Sequence, residues 1–255
     1  MNWFLFRLRV VLLALPVVSG LLFLPAAAAQ SDLQWDTRLV SHLGHQRNII
    51  KPANWQDYAY PFVYGQFDAS LVPLKDWREC SHQALFVPAV KKWAQNHIDR
   101  DSEALVEQIQ HRLLPARGIM ARRDEILLTA GAQMACYLLA NVLLDRKTVV
   151  GIEDPGYPDA RNNFLLRSDH VRALPIDGDG LIASRAMGQC SYVFVTPSHQ
   201  CPTTVTMTLQ RRQEILALAK KRDIVLFEDD HESELNFSGR PLPALKSLDT
   251  DGRVI

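Results

Sequence analysis

The sequence predicts an α/β fold built on a mostly parallel sheet with helices on both faces. Three observations carry this. Short apolar runs recur at "TVVGIED", "SYVFV" and "IVLF", each passing into turn formers or acids. Segments with apolar residues at helical spacing lie before and between them. Strands apolar on both sides belong in sheets covered on both sides, and alternation of such strands with helices marks parallel crossovers.

Composition frames what such a fold can do. The chain has 255 residues, 47% hydrophobic and 22% charged, which suits a globular body with a sizeable core and argues against disorder. Its 28 basic and 28 acidic residues cancel, so no overall positive field draws nucleic acid and any anion site must be local. Cys80, Cys136, Cys190 and Cys201 are scattered without a CxxC pair, which predicts reduced, mostly buried thiols and neither a zinc knuckle nor a disulfide framework.

Residues 1–30 read as a separate element. After Arg7 and Arg9, "VVLLALPVVSGLLFLPAAAA" runs about twenty residues without a charge, the length of a membrane span or an extended signal core. Ala27 and Ala29 fit an A-x-A cleavage signal, so a signal peptide and an anchor both stand as readings, and either implies export or membrane attachment. Residues 31–75 mix aromatics with Pro61, Gly65 and Pro73 and read as an extended arm that packs on a later domain. The alternating body occupies 76–255. "ALVEQIQHRLL" sets Leu105, Ile109, Leu113 and Leu114 at helical intervals, and "EILLTAGAQMACYLLANVLLD" passes through Gly131 into an apolar helix. "TVVGIEDPGYP" is a strand ending in turn residues, "SYVFVTPSHQCP" another, "TLQRRQEILALAKKRD" an amphipathic helix, and "IVLF" a third strand.

Ligands of such sheets bind beyond the carboxyl ends of the strands, which directs attention to the residues after each run. Gly131 permits a tight turn, and the N–H groups near Ala132 and Gln133 at the positive helix end could cradle a phosphate. "PGYP" presents the ring of Tyr157 between two prolines that limit its backbone freedom. Ser198, His199 and Gln200 follow the next strand. After "IVLF" comes the acidic run "EDDHESE", open to three readings. Asp229, His231 and Glu232 are suitable ligands for a divalent cation, although strand alternation would scatter them to both faces. A solvated acidic loop accounts for Glu232 and Glu234. One buried acid facing a cationic heterocycle would keep a pyridinium nitrogen protonated.

Five separated stretches, "PFVYGQFDASLVPLKDW", "EILLTAGAQMACYLLANVLLD", "GIEDPGYPDARNNF", "VTPSHQCPTTVTMTLQRRQEIL" and "EDDHESELNFSGRPLPALKSLDTDGRVI", closely resemble the aminotransferase class I/II-like domain of MocR-type regulators in the GntR family. The resemblance runs from about residue 35 to Ile255 and keeps the family's order. It implies the three-layer αβα large domain of fold-type-I proteins and the cofactor pyridoxal 5'-phosphate. Position by position, the phosphate-binding turn falls on Gly131, Ala132 and Gln133, and the aromatic that stacks on the cofactor ring falls on Tyr157. The acid pairing with the pyridine nitrogen falls on Asp229, or on Asp230 if the register shifts by one. His199 falls near the phenolic oxygen of the ring. An amino acid or amine as ligand, a homodimer of the complete domain and a cytoplasmic location are further implications, the last opposed to the apolar leader.

The departures are specific. The family's "EDDY" reads His231 at the tyrosine, which exchanges a phenol for an imidazole whose charge varies near neutral pH. Thr204 stands where the family's "PTG" has glycine. The family's Schiff-base lysine would lie beyond Ile255, and neither Lys220 nor Lys246 occupies its motif, so no catalytic residue is assigned. The resemblance therefore implies a domain incomplete at its C-terminal side, without a DNA-binding module in this chain and not catalytically competent alone. The runner-up reading is a metal-dependent enzyme using the acids around Asp229.

Overall fold

The computed structural model describes residue 38 and residues 46–63, 65, 68–95, 99–233 and 241–255. Contacts divide the chain between Arg47 and Asn48, and every element named below lies in the second unit, Asn48–Ile255. The apolar segment 1–30 lies outside the described residues. Among the described residues no helix is long and apolar enough to cross a membrane.

Strands β1 (Val149–Asp154), β2 (His170–Asp177), β3 (Gly180–Leu181), β4 (Tyr192–Val195) and β5 (Val225–Glu228) form a sheet in the order β3-β2-β1-β4-β5. β1 runs parallel to β2 and β4, with Ile152 opposite Ala173 and Phe194, and β4 runs parallel to β5, with Val195 opposite Glu228. Only the β2–β3 pair is antiparallel among the described strands. On the far side of β5, the Ile255 N–H donates to Leu226 O at 2.9 Å and the Leu226 N–H to Arg253 O at 2.8 Å.

Helices α1 (Leu74–Ala84), α2 (Val87–Trp93), α3 (Glu103–Gln108), α4 (Ala132–Leu143), α5 (Pro158–Leu165), α6 (Leu209–Arg222) and α7 (Leu245–Leu248) accompany the sheet. Successive strand residues point to opposite faces, and the two faces build two cores. Val193, Val195 and Leu226 pack with Ile215 and Ala219 of α6 and with Leu245 of α7. Val150, Ile152, Phe194 and Phe227 pack with Cys136 and Ala140 of α4 and with Ala160 and Phe164 of α5. This is the three-layer α/β/α arrangement expected from sequence.

The local causes are legible. Thr208 caps α6 by accepting from the Arg211 N–H at 3.3 Å, Asp223 ends it in the left-handed conformation, and Lys220, Lys221 and Arg222 lie where the helix dipole favours cations. Arg212 is fully buried on this helix and donates to the carbonyls of Met207, Pro197 and Pro243. Burial lowers its pKa, and the three carbonyls satisfy the guanidinium while tying α6 to the loops after β4 and before α7.

Three features differ from the sequence reading. "EILLT" begins in the 3-10 turn Arg123–Glu125, runs on without regular secondary structure and joins no strand pairing among the described residues, although α4 follows it as expected. α3 continues through a π-helical turn, Ile109–Leu113, into a last short turn, Leu114–Ala116, so the helical spacing of 105–114 belongs to a composite element. Among the described residues of 46–73 the chain makes turns and two short 3-10 segments, Trp55–Asp57 and Ala69–Leu71. There Tyr60 and Phe62 are 80% and 97% exposed, so the packing expected of this arm is not made by these two rings within the chain.

Candidate functional site

Parallel pairing of β1, β4 and β5 brings their carboxyl ends to one edge of the sheet, followed there by Glu153–Tyr157, Thr196–Gln200 and Glu228–Glu232, and Tyr157 reaches the first turn of α4. Gly131 caps α4 at φ +87°, a conformation that L side chains rarely adopt, and space around it is open. The N–H groups of Ala132 and Gln133 lie in the first turn, where an α-helix has no internal acceptors for them. Gln133 Nε2 donates to the Tyr157 hydroxyl at 3.0 Å, and Asn163 Nδ2 of α5 donates to Gln133 Oε1 at 2.6 Å. The proposed phosphate turn and the proposed stacking ring are therefore brought together.

Asp229 follows β5, and its N–H donates to Val195 O at 2.9 Å. Burial holds its carboxyl above the usual carboxylate range, opposed by the neighbouring His231, whose backbone N–H also hydrogen-bonds it, and reinforced by Asp230. Its charge is felt on three elements. Burial first and Asp229 second push the Cys136 thiol of α4 up to about 11. Glu153 and Cys201 are raised by burial with Asp229 again contributing. Because Cys136 lies one turn beyond Ala132, Asp229 shares its neighbourhood with the start of α4.

Asp230 goes elsewhere. Arg117 donates from Nε to its Oδ2 at 2.6 Å and from Nη2 to its Oδ1 at 2.9 Å, and Ser198 Oγ donates to Oδ1 at 2.5 Å. Gln200 is buried and turns inward, donating to Glu153 Oε2 at 3.2 Å and to Pro155 O at 2.8 Å. His199 and His231 both direct Nε2 at Glu232, at 3.5 and 3.3 Å. The structure thus groups Gly131, Ala132, Gln133 and Tyr157, places Asp229 where its charge acts on Cys136 of the same helix, and pairs the two imidazoles with Glu232.

The acidic run does not converge as a metal site. Glu228 accepts from the Leu245 and Lys246 N–H groups at 2.7 and 2.8 Å, Asp230 is taken by Arg117, and Glu232 by the histidines. Among the described residues no group of three or more His, Cys, Asp or Glu is placed to hold a metal ion, so the runner-up reading loses its ligand set. The two lysines weighed from sequence are engaged: Lys246 Nζ donates to Val254 O at 2.6 Å and Lys220 pairs with Asp251 at 2.8 Å. All four cysteines are free, with Cys136 and Cys190 buried, Cys201 half-buried and Cys80 exposed.

Sequence reasoning passed over Glu153, Arg117 and Thr196. Glu153 carried a signal, an acid closing an apolar strand just ahead of "PGYP". Arg117 carried none, since its partner lies 113 residues away.

A half-buried carboxylate, a glycine-capped helix start and a tyrosine tied to that start suit an anionic, aromatic ligand bearing a basic ring nitrogen, and the residues present fit pyridoxal phosphate in that sense. No family model matches the chain. It is 39% identical over 198 residues to the HTH-type transcriptional regulator TauR of Rhodobacter capsulatus, covering 78% of this chain and 41% of that protein. It is 32% identical over 183 residues to the probable rhizopine catabolism regulatory protein MocR of Rhizobium meliloti, covering 71% and 36%. Its fold is similar to that of LysN, the alpha-aminoadipate aminotransferase of Thermus thermophilus solved with N-(5'-phosphopyridoxyl)-L-leucine: TM-score 0.64, 25% identity, 73% of this chain and 48% of that one. The chain spans less than half the length of each of these proteins.

Proposed function

This chain carries the aminotransferase-like domain of MocR-type regulators of the GntR family, and on that premise we propose that it binds pyridoxal phosphate at the edge formed by β1, β4, β5 and α4. The observation that carries the reading is the Gln133–Tyr157 hydrogen bond, which ties the glycine-capped start of α4 to the segment after β1, with the half-buried Asp229 near enough for its charge to act on Cys136 of the same helix. Gly131, Ala132 and Gln133 offer backbone N–H groups and the positive helix end to the phosphate. Tyr157, braced by Gln133, offers a flat surface to the ring, and Asp229 offers a negative charge to the protonated ring nitrogen. Bound there, pyridoxal phosphate supplies an electron sink for bonds at the α-carbon of an amino acid or amine.

His199 and His231 stand at the same rim through Glu232, and either can donate to an oxygen on the ring. The role is binding, with an amino acid or amine as second ligand, and Lys220 and Lys246 take no part in it. A cytoplasmic place of work and a homodimeric assembly go with this reading.

The test is a titration of the 255-residue chain with pyridoxal phosphate, followed by tryptophan fluorescence and absorbance. Saturable binding, weakened about tenfold or more in Asp229→Ala and in Tyr157→Ala, is expected. Absence of saturable binding in the wild type, or unchanged affinity in both variants, refutes the assignment.

A further inference from the structure

Tandem acids at a strand end point to opposite sides, so a site that uses one of them needs somewhere to put the other. We propose that Arg117 is a positioning residue: it pins Asp230 to Ser198 and so reserves Asp229 as the one carboxylate of the pair that serves the ring-binding edge. The contact is two-pronged. Nε reaches Oδ2 at 2.6 Å, Nη2 reaches Oδ1 at 2.9 Å, and the same Nη2 donates to Ser198 Oγ at 3.1 Å. Ser198 closes the triangle by donating to Oδ1 at 2.5 Å. Side-chain exposures of 12% for Arg117 and 25% for Asp230 keep the pair largely out of solvent, where a two-pronged guanidinium–carboxylate contact fixes orientation.

The pair joins three parts of the chain. Arg117 follows the last helical turn Leu114–Ala116, Ser198 lies after β4, and Asp230 lies after β5. Arg212 Nη2 donates to Pro197 O, next to Ser198, at 2.7 Å. Asp230 therefore faces Arg117 and Ser198, with Arg212 in its field. The charge of Asp229 acts on a different set: Cys136 from α4, Glu153 from β1 and Cys201 from the loop after β4, while His231 and Asp230 act on it from its own segment. Removing Arg117 leaves an uncompensated negative charge one residue from Asp229 and frees it to turn toward the ring edge.

The proposal rests on the assignment of Asp229 as the ring acid, and its test separates the two. The Asp229 carboxyl is titrated by carbon-13 NMR in the cofactor-free 255-residue chain, for wild type, Arg117→Met, Asp230→Asn and the double variant. The midpoint is expected to rise by about one unit in Arg117→Met, to fall in Asp230→Asn, where the arginine is left without its anion, and to return near the wild type in the double variant. A purely structural Arg117 gives no such reciprocal pattern. Unmoved midpoints in both single variants overturn the proposal. Should Arg117→Met fail to fold, Asp230→Asn decides alone, and a midpoint that stays or rises overturns it. If the titration pattern holds while Asp229→Asn binds pyridoxal phosphate as the wild type does, the ring-acid assignment falls and the pinning of Asp230 stands.

Discussion

Gln133 Nε2 donates to the Tyr157 hydroxyl at 3.0 Å, which locks the first turn of α4 to the segment after β1. The lock extends both ways, since Asn163 donates to Gln133 and the tyrosine hydroxyl reaches Asp159 Oδ2 at 3.3 Å. Tyr157→Phe keeps the ring and breaks the lock, at about 1 kcal/mol for a neutral hydrogen-bond network. Affinity for pyridoxal phosphate in the fluorescence titration is expected to drop about fivefold, against about tenfold or more for Tyr157→Ala. Wild-type affinity in Tyr157→Phe would show that the hydroxyl does not hold the ring.

Gly156 sets where that ring stands. A Cβ added there would fall on the carbonyl oxygen of Glu153, a backbone atom that cannot swing aside as a flexible side chain does. Gly156→Ala must therefore shift the turn after β1, at a cost of about 1–3 kcal/mol. A melting temperature lower by about 5 °C is expected, together with weaker pyridoxal phosphate binding because Tyr157 follows immediately. Unchanged melting would mean the turn relaxes freely.

How much of this was legible in the sequence follows from burial. β1, β4 and β5 are covered on both faces and read as unbroken apolar runs, and α4 and α6 carry apolar residues at helical spacing. β2 was not legible: with only two residues of β3 beside it, it leaves His170, Ala173, Pro175 and Asp177 exposed and carries no clean period. α5 hides for the opposite reason, since its buried face includes the polar Asn162 between Ala160 and Phe164. At the candidate site, motif order pointed to Gly131, Tyr157 and Asp229 and left Asp230 as the alternative acid, whereas the contact that engages Asp230 comes from Arg117, 113 residues away, which no local pattern encodes.

Thr204 occupies the position where the resemblance led us to expect glycine, and its φ is +62°. A β-branched side chain in the left-handed region is costly, about 1–2 kcal/mol, whereas glycine enters it freely at some expense in unfolded-state entropy. The threonine side chain is exposed, so its removal exposes no core. Thr204→Gly is expected to stabilise the chain by about 0.5–1 kcal/mol, read as a higher midpoint in urea with an unchanged slope. A lower midpoint would mean that the Thr204 hydroxyl or methyl contributes more than the strain costs.

Glu153 sets the last expectation, which concerns pH. Only 2% exposed, it receives the Thr196 hydroxyl at 2.5 Å, the Thr196 N–H at 3.3 Å and Gln200 Nε2 at 3.2 Å, all on Oε2, while Oε1 has no hydrogen-bond partner among the described residues. Donors crowded on one oxygen leave the other free to carry a proton. Burial holds the carboxyl above the usual carboxylate range, against the hydrogen bonds from Thr196 and Gln200 and with help from Asp229. A raised pKa means that the folded chain binds the proton more tightly than the unfolded one. Its contribution is therefore complete below the ordinary glutamate value and is lost as pH rises through the raised one. Glu153→Gln keeps the neutral shape at every pH. The melting temperature of the variant minus that of the wild type is expected to grow more positive from about pH 4 to about pH 8. Glu228 and Asp229, also raised by burial, are present in both proteins, so their own pH dependence largely cancels in the difference. A variant that falls below the wild type as pH rises would instead place an ionised, stabilising carboxylate at Glu153.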